Sequence, residues 1–308
     1  MLSLPTTGFN RSVTTNNVKR ETLGDWLESS ALFVGTFSKI DAVDILTEQG
    51  VTDSQDLAHE IIEQGWAELQ ERIRASGPPT TVNLKADRFV QVADWRQDPA
   101  RSFMVMLSAF LAYPDWATAH RDANTQGLLF ERLSAVACAR ILNGWTIYRA
   151  GWSPSGGKDS PAIVSELADL LGTGGHSNPA QWAGEAANDA GLDLLCFRPF
   201  LDGREGVPMI ALQCASGDNW RKKLTEPSTN VWQKLLDSAF EPTRALTIPY
   251  VSDREELPRR CAVITGPLFD RSRLLSAGQG DEGWIDAPLA TDLINWLEPP
   301  VAALPIAN

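Results

Sequence analysis

Asp193 and Gln213 mark the outer ends of two apolar runs, residues 193–200 and 207–214, separated by Leu201-Asp-Gly-Arg-Glu-Gly206. Runs of that length bounded by turn residues read as strands, and the connection reads as a hairpin. With the turn centred near Gly203, facing residues carry numbers that sum to 406, which sets Asp193 beside Gln213 at the open end of the ribbon. A carboxylate and a side-chain amide meeting there are the oxygen donors a hard cation takes. Mg²⁺ needs only one or two carboxylates, at roughly 2.0–2.1 Å, and leaves its other positions to water and phosphate.

A second carboxylate comes from the segment 126–142, where Leu128, Leu129, Leu133, Val136 and Leu142 recur at helical steps. Glu131 falls on the inward stripe of that helix, where a carboxylate is costly unless it is paired or holds a metal. Two readings follow: a metal ligand, or a Glu at the stripe's edge bonded to a neighbouring Arg. For Gln213 the plainer alternative is a strand-end amide that caps a backbone group.

With Phe130-Glu131 on a helix, Asp189-Ala-Gly-Leu-Asp193 opening a strand and Gln213-Cys-Ala215 ending the next, the chain resembles the PD-(D/E)XK, or restriction-endonuclease-like, superfamily and within it the Mrr-like branch. The resemblance covers about residues 125–225 directly. It implies a central mixed sheet flanked by helices and a Mg²⁺-dependent DNA endonuclease, with Mn²⁺ able to substitute, of a kind found in prokaryotic restriction or phage-defence systems. It implies roles as well: Asp193, Glu131 and Gln213 as metal ligands, and a catalytic lysine that stabilises the charge developing on the phosphate. One departure is plain, because Ala215 occupies the usual lysine position. The superfamily can draw that lysine from the following helix, and Arg221-Lys222-Lys223, in a helix expected to open near Asp218, offers Lys223 first and Lys222 second. Arg221 and Lys222 are also candidates for DNA contact. A member of the fold that no longer cuts and serves as an interaction subunit would carry nearly the same motifs.

A rival motif lies at Ser155-Gly-Gly-Lys-Asp-Ser160, which is similar to the phosphate loop of PP-loop ATP pyrophosphatases, with residues 161–171 as the following helix. The segment before it is a poor match to a buried strand, since 148–154 carries Arg149 and ends in Pro154. Ser- and Gly-rich composition is also common in loops.

The remainder of the chain bounds these readings. Its 308 residues suffice for one large or two modest domains, and 43% hydrophobic with 21% charged residues is ordinary globular composition. No window approaches the ~20 apolar residues of a membrane span, and the N-terminus lacks a signal-peptide pattern, so the expected location is cytoplasmic. Cys138, Cys196, Cys214 and Cys261 are far apart in apolar contexts and read as reduced core thiols. His59, His120 and His176 are scattered singly, which leaves zinc or a His-based triad without support. The net charge of −12 argues against autonomous, non-specific DNA binding and favours delivery or restraint by a protein partner or a homo-oligomer. Basic clusters at 221–223, Arg259-Arg260 and Arg271 with Arg273 run against that charge.

Periodicity divides the chain into an all-helical N-terminal region, 1–115, and an α/β nuclease domain, 116–308. Helices are expected around 21–27, 40–46, 57–73 and 98–112, the last with Pro99 in its first turn, and a linker at 76–81. Later come a helix through Val231, Trp232, Leu235, Leu236 and Phe240, strands at 245–250 and 261–265, helices at 271–276 and 289–297, and a loose Pro-rich tail at 299–308.

Overall fold

A computed structural model of the chain describes residues 1–9, 18–150, 160–173, 175, 191–281 and 283–307. Asp189, Ala190 and the loop 155–159 lie outside the described residues, and with them the phosphate-loop reading. In chain order the elements are α1 (Arg20–Phe33), β1 (Phe37–Ser38), α2 (Lys39–Glu48), α3 (Gln55–Ser76), β2 (Val82–Leu84), β3 (Arg88–Gln91), α4 (Pro99–Ala112), α5 (Pro114–His120) and α6 (Ala123–Ile141). There follow β4 (Thr146–Arg149), α7 (Ser160–Leu171), β5 (Leu194–Phe197), β6 (Met209–Cys214), a 3₁₀ turn (Trp220–Lys223), α8 (Thr229–Leu235), β7 (Thr243–Thr247), α9 (Glu256–Ile264), β8 (Leu268–Phe269), α10 (Arg271–Ser276) and α11 (Ala287–Ala302).

The chain forms two compact units, one of residues 1–129, 249–252 and 271–308, the other of 130–248 and 253–270. The division falls inside α6 and not near 115, because the C-terminal α11 packs on α4 and α10 packs on α3, so the chain's end builds the first unit.

In the first unit, helix starts follow their capping residues. Ser38 and Asp41 form a reciprocal capping box on α2, Ser54 accepts the Leu57 amide, and Asp98 caps α4 ahead of Pro99. The unit is not all-helical: β1, β3 and β2 form an antiparallel sheet in that order. These strands are too short to register as periodicity. Their reason is aromatic burial, since Phe37 and Phe89 pack with Trp66 of α3 at centroid distances of 5.0–6.2 Å. The expected linker at 76–81 joins α3 to β2 within this unit, with Gly77 turning the chain at φ +84°. The expected loose tail is also ordered: α11 runs through Pro299 and Pro300 to Ala302, and Ile306 bridges Leu2.

The second unit is α/β, a five-strand mixed sheet in the order β4-β5-β6-β7-β8. β4, β5 and β6 are antiparallel, whereas β6–β7 and β7–β8 are parallel. Each parallel step needs a crossover, and α8 and α9 supply them. That requirement explains why the expected strand at 261–265 is helical. Its apolar residues belong to α9, which ends at Thr265 in the left-handed region. The helix expected through Phe240 stops at Leu235, leaving Phe240 exposed. Leu195, Phe197, Met209 and Ala211 bury one sheet face against Ile163, Val164 and Leu167 of α7 and Trp232 and Leu235 of α8. The opposite face meets α6, where Ser134 Oγ donates to Thr247 Oγ1 at 3.1 Å. Among the described residues, no helix is long and apolar enough to cross a membrane.

Candidate active site at the open end of the β5–β6 ribbon

The hairpin adopts the register expected from its sequence, with Leu194 facing Leu212, Leu195 facing Ala211 and Phe197 facing Met209. The ladder continues one step beyond β5, for the Asp193 amide donates to the Leu212 carbonyl at 3.0 Å and the Asp193 carbonyl accepts the Ala150 amide at 2.9 Å. Asp193 is thereby held by the strands on both sides. Its Oδ2 accepts Gln213 Nε2 at 2.5 Å and the Cys214 amide at 2.6 Å. The amide of Gln213, 5% exposed, thus steers the half-buried Asp193 carboxylate while its own Oε1 points elsewhere.

Oε1 points toward Gly191. A Cβ on that glycine would lie 3.2 Å from Gln213 Oε1 and 3.2 Å from Glu226 Cβ, and its φ of +73° suits glycine. Gly191 therefore leaves a small cradle between the amide oxygen and Glu226, a half-buried carboxylate that sequence reasoning missed. Glu226 follows the basic 3₁₀ turn, and its amide donates to the Lys223 carbonyl at 3.0 Å. The turn bearing Lys223 is in this way folded back onto the site's glycine.

Glu131 arrives from α6 on the opposite sheet face and is buried, 8% exposed. Arg149, at the end of β4 and across from Leu194, places both Nε and Nη2 2.9 Å from Glu131 Oε1. The Arg-paired alternative for Glu131 is thus the arrangement present. Arg149 is the second residue missed; the β-branched and aromatic run Thr146-Ile-Tyr148 marks its strand, but nothing local pairs it with Glu131.

Cys214 follows Gln213 on β6, and its amide is the second donor to Asp193. Burial pushes its thiol well above the usual range, and the charges of Asp193 and Glu131 push the same way against a hydrogen bond with Thr247. Ala215 is buried, and its amide donates to the Thr247 carbonyl at 2.9 Å, so no cation occupies the usual lysine position. Lys222 is exposed and Lys223 half-buried. Arg221 covers the Trp220 ring.

Among the described residues no trio of His, Cys, Asp and Glu is grouped as a ligand set. A hard cation here would rely on two carboxylates completed by the Gln213 amide oxygen, and the cradle at Gly191 is open to that oxygen. The donor chemistry fits Mg²⁺. A cleft of about 970 Å³ in the first unit, with Arg74, Gln97, Arg101, Gln279 and Trp284 in its walls, contains none of these residues. No family model matches the chain, and neither curated proteins nor solved structures include one detectably similar to it.

Proposed function

We propose that the second unit is a restriction-endonuclease-like domain that hydrolyses DNA phosphodiester bonds with Mg²⁺, Mn²⁺ substituting. The observation that carries the reading is the pairing of Asp193 with Gln213 at the ribbon's open end, with Glu131 on the helix preceding the sheet. All three residues belong to the same α/β unit.

In this reading Asp193, Glu131 and the Gln213 amide oxygen hold the cation, which when bound supplies Lewis-acid stabilisation of charge on the phosphate. Gln213 Nε2 orients the Asp193 carboxylate, and Arg149 holds Glu131 in place. Lys223 directs an ammonium at the phosphate as negative charge builds there, replacing the cation that Ala215 lacks. Water is the nucleophile. The net charge of −12 limits free DNA association, so a protein partner or a second copy of the chain delivers or restrains the substrate.

The test is conversion of supercoiled plasmid to nicked or linear forms, first with Mg²⁺ and then with Mn²⁺. Wild type cleaves, Asp193→Ala is inactive, and Lys223→Ala loses about 10²–10³-fold in rate, the usual effect of deleting one charge-stabilising donor. Ala215's burial favours one other reading, a domain that keeps the fold without cutting. No cleavage by the wild type in either metal, with purified DNA and high enzyme, would leave that alternative or a nuclease that cuts only with its partner.

A further inference from the structure

A basic ridge is built on Trp220. The indole is 2% exposed, yet two guanidiniums from different elements lie over its ring, Arg221 from the 3₁₀ turn at 4.4 Å and Arg260 from α9 at 5.0 Å. Stacking on one rigid ring restrains two cationic heads that would otherwise be dispersed among rotamers. Lys222 beside Arg221 is exposed, and so is Arg259 beside Arg260, at 78% of its side chain. Arg259 pairs with Glu256 at 3.0 Å. Four cations on two elements stand together on a chain of net charge −12. The turn that carries two of them returns through Glu226 to Gly191.

We infer that Arg221, Lys222, Arg259 and Arg260 form the track for the phosphate backbone of duplex DNA leading to the site; the inference rests on the nuclease reading for its substrate. The planar fork of each guanidinium suits bidentate contact with phosphate oxygens. Because the indole is buried beneath them, it offers no face to an unstacked base. The track contacts phosphates and carries no sequence preference.

The experiment is fluorescence anisotropy of a labelled 30-base-pair duplex titrated with the full chain without divalent metal, across a series of salt concentrations. Wild type binds weakly, as its net charge of −12 dictates, detectably at low salt and with a steep salt dependence. Lys222→Gln with Arg259→Gln, both exposed and unable to disturb the core, weakens binding on the order of tenfold at low salt and flattens the log–log salt slope by roughly 0.9 per phosphate contact removed. Arg221→Gln with Arg260→Gln does the same, with circular dichroism checking the fold. Arg204→Gln, an equally exposed arginine at 84% in the hairpin turn, leaves binding unchanged. Loss of binding in the ridge variants without plasmid cleavage by wild type would sustain the track and sink the nuclease. Undetectable duplex binding, or ridge variants no weaker than Arg204→Gln, would overturn the track even if the plasmid is cut.

Discussion

At the residue scale the site turns on side chains whose neighbours are dictated by period two. Asp193 and Gln213 were legible because one turn position fixes every facing pair in a hairpin, and the observed register follows it. Arg149 and Glu226 were not, because a contact across 18 residues from Glu131, or between a turn and Gly191, leaves no local pattern. Gly191 makes the clearest residue-level prediction. It shares a positive φ with Gly203, +73° against +64°, but a Cβ at 203 meets nothing within 4 Å whereas one at 191 meets Gln213 and Glu226. Gly191→Ala and Gly203→Ala should each lose about 1 kcal/mol to backbone strain. Only Gly191→Ala should also lose cleavage, by pressing on the amide oxygen. Urea unfolding together with plasmid nicking checks both, and equal activity in the two variants would remove Gly191 from the site.

At the scale of elements, helical spacing showed α2, α3 and α4 in the sequence because periodicity is local, and in the structure each opens on a local cap, Ser38, Ser54 and Asp98. Residues 261–265 misled for the opposite reason. A short apolar run cannot by itself distinguish strand from buried helix, and the deciding fact, that β7 and β8 run parallel and need a crossover, is not local. The end of that crossover is tightly specified. After Thr265 turns in the left-handed region, Gly266 passes so close to β7 that a Cβ would lie 1.9 Å from the Arg244 carbonyl oxygen. Arg244 is itself anchored, Nε donating to the Pro227 carbonyl at 2.9 Å, so the strand cannot easily yield. Gly266→Ala should therefore cost about 3 kcal/mol or more, the upper range for overpacking. Equilibrium urea denaturation reads this directly, and a loss under 1 kcal/mol would mean that the β7–β8 edge is looser than described.

At the scale of the whole molecule, the sequence showed a helical beginning and an α/β remainder but not that the chain's end returns to the first unit, because that pairing joins residues more than 150 positions apart. What holds this unit includes a buried ionic cluster with no sequence signature. Arg72, Arg101 and Arg271, each at most 5% exposed, converge on Glu28, and Asp25, Glu68 and Asp98 complete the charge balance. Burial alone would raise the Glu28 carboxyl, but Arg271, Arg101 and Arg72 together overcome it and hold the group at about 2. The sign follows. A carboxyl whose folded pKa lies below its ordinary 4.5 gives stability that is complete above pH 4.5 and lost as pH falls toward 2. The shift corresponds to roughly 3 kcal/mol, at about 1.4 kcal/mol per unit. Glu28→Gln keeps the shape but strands three guanidiniums, and should cost on the order of 3–5 kcal/mol at pH 7. The gap between wild type and variant should then narrow between pH 4.5 and 2, as protonation removes from the wild type the charge that the variant never had. Thermal unfolding of both proteins from pH 7 down to pH 2 measures the gap. A gap that stays constant over that range would show that Glu28 contributes packing alone, and that the arginines draw their compensation from Asp25, Glu68 and Asp98.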